Sequence, residues 1–254
     1  MNLRKLIKHM KVSNPTSRFK LKIPSQYSVL DVGSGHNPHP RANVVTDKYI
    51  EDNYHRAGDI KVLKKQRFVQ ADGETLPFKD DEFDYVICCH VVEHVDSPAQ
   101  FMDELSRVGK AGYLEAPSMI GEFMIPRGAH KWVLLEIDKK IVIVDKERLG
   151  MKSTHDFGDL FLDYLPRNSF GFKILQRTQQ QIFTVNYEWK DRIEYVVEPT
   201  DAELKKYFTQ VWDKSMYEHI VPKRSLGSEY MAAMGATVDI FKNVFKSKVL
   251  SRFR

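Results

Sequence analysis

Val29-Leu30-Asp31-Val32-Gly33-Ser34-Gly35 is the stretch on which the fold turns. An apolar strand, read over 28–32, runs directly into a glycine turn. Glycine accepts positive φ and lets a ligand approach the backbone closely. The third glycine of the dinucleotide fingerprint is missing, since His36-Asn37-Pro38 follows instead. That counts against a pyrophosphate cofactor and a nicotinamide dehydrogenase. Asp31, inside the motif, suits a cationic or hydroxyl-rich ligand. Alone, a G-x-G after a strand is equally a tight turn, so the weight falls on what surrounds it.

Working outward, Asn43–Asp47 reads as a second strand, and its terminal acid stands 16 residues after Asp31. An acid there can accept both hydroxyls of a ribose; the plainer reading is a solvated loop acid. Residues 66–71 form a third strand, ended by Asp72-Gly73. Phe83–Cys89 is a fourth, apolar apart from Asp84 and so suited to burial on both faces. Pro98–Val108 has helical spacing, with Phe101, Leu105 and Val108 on one side, and Gly112–Ala116 is a fifth strand. Strands separated by helices imply parallel βαβ units and an α/β fold.

Further blocks fall in register with these: Ala71-Asp72-Gly73-Glu74-Thr75-Leu76-Pro77-Phe78, then Cys88-Cys89-His90-Val91-Val92-Glu93-His94-Val95, then Glu104-Leu105-Ser106-Arg107-Val108. Over about residues 27–118 the chain resembles the class I S-adenosylmethionine-dependent methyltransferases, specifically the type 11 group. The resemblance implies a Rossmann-like seven-stranded sheet, mostly parallel, with helices on both faces. Gln181–Trp189 and Arg192–Val197 would be its last two strands. It assigns Asp31, Gly33, Ser34 and Gly35 to the loop contacting the methionine moiety, Asp47 with Lys48 to the ribose, and Asp72 with Gly73 to the adenine. His90 falls beside the cofactor. Lys110-Ala111-Gly112 departs from the family's usual proline and paired glycines, which affects a turn only.

A sulfonium methyl is already activated, so such a protein mainly positions and desolvates. A base is needed only where the acceptor loses a proton. His90, His94 and His130 are the catalytic candidates. A backbone-satisfied histidine at a helix start is the plainer account of His94, and Glu93 is expected to face solvent or cap a turn. Gly128-Ala129-His130-Lys131-Trp132 precedes a β-hairpin inserted after the fifth strand, over 130–146, with strands Trp132–Glu136 and Ile141–Val144 around Asp138-Lys139-Lys140. His130, Trp132 and this hairpin are expected to shape the acceptor site, although Trp132 equally suits hairpin core. Neither the nine histidines nor the two cysteines show metal-ligand spacing, so no metal is expected.

The organisation expected is a basic N-terminal helix and loop over 1–24, a methyltransferase domain over 25–198 and a C-terminal helical extension over 199–254. Leu3, Leu6, Ile7 and Met10 form one side of the first helix and Arg4, Lys5, Lys8 and Lys11 the other. Thr200-Asp201-Ala202-Glu203 reads as a capping box opening a helix to about Met216, with a loop over 222–236. Net charge is +5, yet residues 25–237 hold 27 basic against 33 acidic residues, so the basic excess sits at the two ends. An acidic body makes a nucleic-acid partner unlikely, and Cys89-His90-Val91-Val92 lacks the Asn/Asp-Pro-Pro-Tyr block of amino methyltransferases. The basic ends allow a weak peripheral membrane contact. Adjacent Cys88 and Cys89 read as reduced core residues of a cytoplasmic protein. The acceptor expected is a small molecule, sugar or glycan precursor. The alternatives are an RNA methyltransferase and a non-catalytic scaffold that keeps the fold; oligomeric state stays open.

Overall fold

The computed structural model describes residues 17–51, 58–151 and 156–250; the basic helix expected over 1–12 lies outside them. Strands β1 (Val29–Val32), β2 (Val44–Asp47), β3 (Arg67–Gln70), β4 (Tyr85–Cys89) and β5 (Ala111–Pro117) are parallel, in the spatial order 3-2-1-4-5. Chain order reverses between β1 and β4, and a cleft opens at such a switch point beyond the carboxyl ends of the strands. All four β1 residues are buried, as a strand covered on both faces requires.

Pleating sorts the core. Leu30, Val32, Val86, Cys88 and Leu114 face α1 (Pro98–Val108) and pack on Phe101, Met102, Leu105 and Val108. Val29, Val45, Ile87 and Tyr113 face the opposite way and are covered by Leu21 and Ile23. The helix forms where it does because the Ser97 side chain accepts from Gln100 N–H and Pro98 occupies its first turn. Burying each large apolar side chain contributes about 1.5–3 kcal/mol.

The expected hairpin is present: β6 (Trp132–Ile137) pairs antiparallel with β7 (Lys140–Asp145). Its two-residue turn, Asp138 and Lys139, has φ of 50° and 61°, the positive pair that a twisted hairpin selects. Chain connectivity into it runs through the short helix α2 (Met119–Met124).

Three expectations need correction. Among the described residues the main sheet has six strands, not seven. Thr184–Lys190, β8, closes it antiparallel along β5, but Tyr195–Val197, β9, leaves it and pairs parallel with β7 in a separate three-stranded sheet. Residues 181–197 are therefore no hairpin; Asp191, at φ 68°, turns the chain between the two sheets. Among the described residues helices do not cover both faces, and only α1 connects neighbouring parallel strands helically. Pro38 and Pro40 lie between β1 and β2, where their missing donors and fixed φ oppose a helix.

Beyond the first sheet lie a π-turn at Leu160–Tyr164, then α3 (Leu165–Asn168) and α4 (Phe170–Thr178). The C-terminal region is helical as expected, with different limits: α5 (Ala202–Thr209), α6 (Lys214–Ile220) and α7 (Leu226–Leu250). Asp201 caps α5 alone, and Asp213 restarts the chain by accepting from Ser215 and Met216 N–H, which splits the expected 201–216 helix. Residues 226–236, expected as loop, belong to α7, which packs on α4. No described helix is long and apolar enough to cross a membrane.

Candidate functional site

A cleft lies at the carboxyl ends of β1 to β4. Each strand hands it residues at the same level: Gly33 and Gly35 after β1, Asp47 and Lys48 at β2, Asp72 and Gly73 after β3, His90 after β4. Gly33 and Gly35 have φ of 66° and 50°. A Cβ on Gly33 would stand 2.3 Å from Val91 Cγ2, so the turn must stay bare where it forms the floor. Gly73 is bare for another reason: a Cβ there would stand 2.3 Å from the Phe101 ring of α1.

Asp47 ties the floor together. Its Oδ2 accepts from Gly35 N–H at 3.2 Å and its Oδ1 from Tyr49 N–H at 3.1 Å. Asp72 accepts from Glu74 N–H at 3.0 Å and pairs with Lys48 Nζ at 2.7 Å. That ion pair crosses the cleft between β2 and β3, and the Asp72 carboxylate holds the Lys48 ammonium above its ordinary pKa.

Two expected residues are elsewhere. Asp31 does not reach the cleft; it is 1% exposed and its Oδ2 accepts from His39 N–H at 2.7 Å. Leu30 and Val32 face α1, so the intervening Asp31 points to the other face. Burial raises its carboxyl to about 6, against the pull of the His39 N–H and the Arg18 charge. Ser34 is buried beneath the turn, its N–H bonded to Thr46 O, and its side chain does not line the cleft.

The histidines divide. His90, at φ 58°, is turned so that its ring sits between two buried carboxylates, 3.4 Å from Glu93 Oε1 and 3.4 Å from Glu115 Oε1. Burial opposes its charge, but the two carboxylates prevail and raise it to about 10. The two carboxylates therefore favour the protonated ring over the neutral base that was expected. His94 lines the cleft and its Nδ1–H donates to Ala129 O at 3.0 Å; it lies in a turn rather than at a helix start. His130 is set back from the cleft, 11% exposed, with Nδ1 on Glu122 Oε2 at 2.5 Å. Trp132 also does not line the cleft; its indole donates to Val95 O.

Sequence reasoning overlooked Lys131 and Asp96, an ion pair at the cleft. It also misread Glu93, which is buried rather than solvent-facing. Glu93 O accepts from Lys131 N–H, so the turn after β4 and the root of the hairpin are bonded together. Glu93 follows two valines, a weak signal of burial; nothing near Glu122 signals its role. Both cysteines are unpaired, and burial pushes their thiols up, which removes a thiolate nucleophile.

Residues 30–114 match the methyltransferase domain family. An uncharacterized methyltransferase of Mycobacterium leprae is 39% identical over 92 residues, covering 34% of this chain and 34% of its own. Another, of Mycobacterium tuberculosis, is 35% identical over 116 residues, covering 42% of this chain and 44% of its own. The chain thus spans less than half the length of these curated relatives. Among solved structures, the YcgJ protein of Bacillus subtilis is similar at TM-score 0.35 and 20% identity, over 44% of this chain and 58% of that one. An S-adenosylmethionine-dependent methyltransferase of Mesorhizobium loti has TM-score 0.35 and 15% identity, over 54% and 65%.

Proposed function

We propose, from the match of residues 30–114 to the methyltransferase domain family, that the chain is a class I S-adenosylmethionine-dependent methyltransferase and transfers a methyl group to a small molecule, sugar or glycan precursor. The observation that carries this is the convergence of Gly33, Gly35, Asp47, Asp72 and Gly73 on one cleft at the switch point. The residues fit the cofactor: the left-handed Gly33 and Gly35 bend the backbone into the cleft floor, and carboxylates stand at the ends of two successive strands. S-adenosylmethionine supplies a sulfonium-activated methyl group. The chain's own work is to hold and orient. Asp47, anchored to Gly35 N–H at the end of β2, would hold the ribose hydroxyls; Asp72 with Gly73 would form the adenine edge; Gly33 and Gly35 would admit the amino-acid portion.

For the acceptor, support comes from the charged groups beyond His90. Glu74, His94, Asp96 and Lys131 line that part of the cleft, which suits a hydroxylated acceptor better than an apolar one. Proton removal from such a hydroxyl falls to His94, which lines the cleft, because the carboxylates around His90 favour its protonated form. Unpaired Cys88 and Cys89 support a reducing compartment such as the cytoplasm.

Calorimetry with S-adenosylmethionine and S-adenosylhomocysteine tests the cofactor reading. Micromolar binding is expected, weakened about 10- to 100-fold in Asp47→Ala, as the loss of charged hydrogen bonds of about 1.5–3 kcal/mol implies. No binding at millimolar cofactor sinks it. Labelled methyl transfer to a panel of sugars and to RNA tests the acceptor; label in RNA alone rejects the sugar reading.

A further inference from the structure

We propose that Glu93, His94 and His130 form a divalent-metal site of the two-histidine, one-carboxylate kind at the wall of the cleft. The proposal is independent of the cofactor and deepens the acceptor reading given above. One ligand atom from each residue lies within 4.8 Å of the others. The Glu93 side chain is 1% exposed, and neither of its oxygens makes a hydrogen bond. Its nearest partner is the His90 ring, which is shared with Glu115, so a further cation would complete the pairing of a buried carboxylate. His90 Nδ1 is 3.4 Å from Glu93 Oε1, and His130 Nε2 is 4.0 Å from it. The second distance is too long for a hydrogen bond. Two ligands about 2.0–2.1 Å from one tetrahedral ion stand about 3.4 Å apart, so an ion would draw these side chains together by several tenths of an ångström.

The surroundings fix the rings as ligand histidines are fixed. A metal-binding imidazole typically donates its other ring N–H to a carboxylate or a backbone carbonyl. His130 Nδ1 faces Glu122 Oε2 at 2.5 Å, and His94 Nδ1 faces Ala129 O at 3.0 Å. With Nδ1–H donating, the lone pair of each neutral ring lies on Nε2. Glu122 is held in turn by Lys146 Nζ and Arg127 N–H. The ring centroids are 4.7 Å apart and the rings are edge-on. Lys131 and Trp132 N–H both donate to Glu93 O, which ties the segment carrying His130 to the turn carrying the other two ligands.

Two imidazoles and one carboxylate suit zinc or a similar transition cation and leave coordination positions for oxygen. An ion there would supply Lewis-acid chemistry on the side of the cleft where His94, the one ligand of the three that lines it, stands.

The test is titration of the metal-stripped full-length protein with zinc chloride, with S-adenosylhomocysteine binding measured on the same samples. One zinc per chain is expected, at micromolar or tighter affinity. Glu93→Gln and His130→Ala should each weaken it at least 100-fold, and Glu122→Gln about 10- to 100-fold. Cobalt substitution should give visible bands that vanish in His130→Ala. Circular dichroism and retained S-adenosylhomocysteine binding establish that the variants fold. Absence of stoichiometric zinc from the wild type overturns the proposal, as does equal zinc binding in Glu93→Gln. Zinc uptake without nucleoside binding leaves this site standing and removes the cofactor reading.

Discussion

Asp31 and Gly33, two positions apart, show how differently neighbouring residues of one motif are used. Asp31 is a buried carboxyl raised to about 6. Its contribution to stability is complete below the unfolded carboxyl pKa of about 4 and is lost as pH rises through about 6. Asp31→Asn keeps an acceptor for His39 N–H without the charge. Urea unfolding should therefore show wild type losing up to about 3 kcal/mol relative to this variant between pH 4 and 7; parallel profiles would show that burial does not perturb Asp31. Gly33 is needed for shape. Gly33→Ala puts a Cβ at positive φ against Val91. It should cost about 1–3 kcal/mol of stability and weaken S-adenosylhomocysteine binding at least tenfold by calorimetry.

At the scale of elements, what was legible followed from rules local to each strand. Parallel strands deliver their carboxyl ends to one edge, so Gly33, Asp47, Asp72 and His90 could be placed together from the four blocks alone. Asp31 was misplaced because its face depends on pleat alternation, which Leu30 and Val32 already indicated. The set Glu93, Glu122 and His130 was not legible. Its partners come from a turn, a short helix and a hairpin root, joined by contacts that no periodicity records. Arg192–Val197 was misassigned for a related reason: its strand character was clear, but its choice of sheet depended on β7. The hairpin turn offers an element-scale test. Lys139, at φ 61°, bears the cost of a left-handed side chain. Lys139→Gly should stabilise the protein by about 0.5–1 kcal/mol and raise Tm by about 1–4 °C; a lower Tm would show that the side chain contributes more than the strain.

Across the whole molecule, the C-terminal helix is attached to the rest through a charge. Arg177 of α4, its side chain 2% exposed, donates Nε–H to Asp239 of α7 at 2.9 Å. Asp239→Ala would leave that guanidinium buried without its carboxylate. Because Asp239 is partly exposed, the expected cost is moderate, about 1–3 kcal/mol. Hydrogen exchange should rise in α4 and α7 first, with S-adenosylhomocysteine affinity unchanged. A uniform rise over β1 to β5 instead would mean that the helical extension and the sheet unfold as one unit.

The bond from Lys131 N–H to the Glu93 carbonyl, reinforced by the indole of Trp132 on Val95, has a consequence for how specificity can change. The wall that meets the donor and the loop that leads into the inserted strands are riveted at the same peptide groups. Grafting a foreign insertion between β5 and β8 would therefore disturb the donor side as well, unless the graft reproduces that amide contact and that indole contact. Acceptor preference in this architecture is most freely altered by side chains projecting from the insertion, with its root left intact.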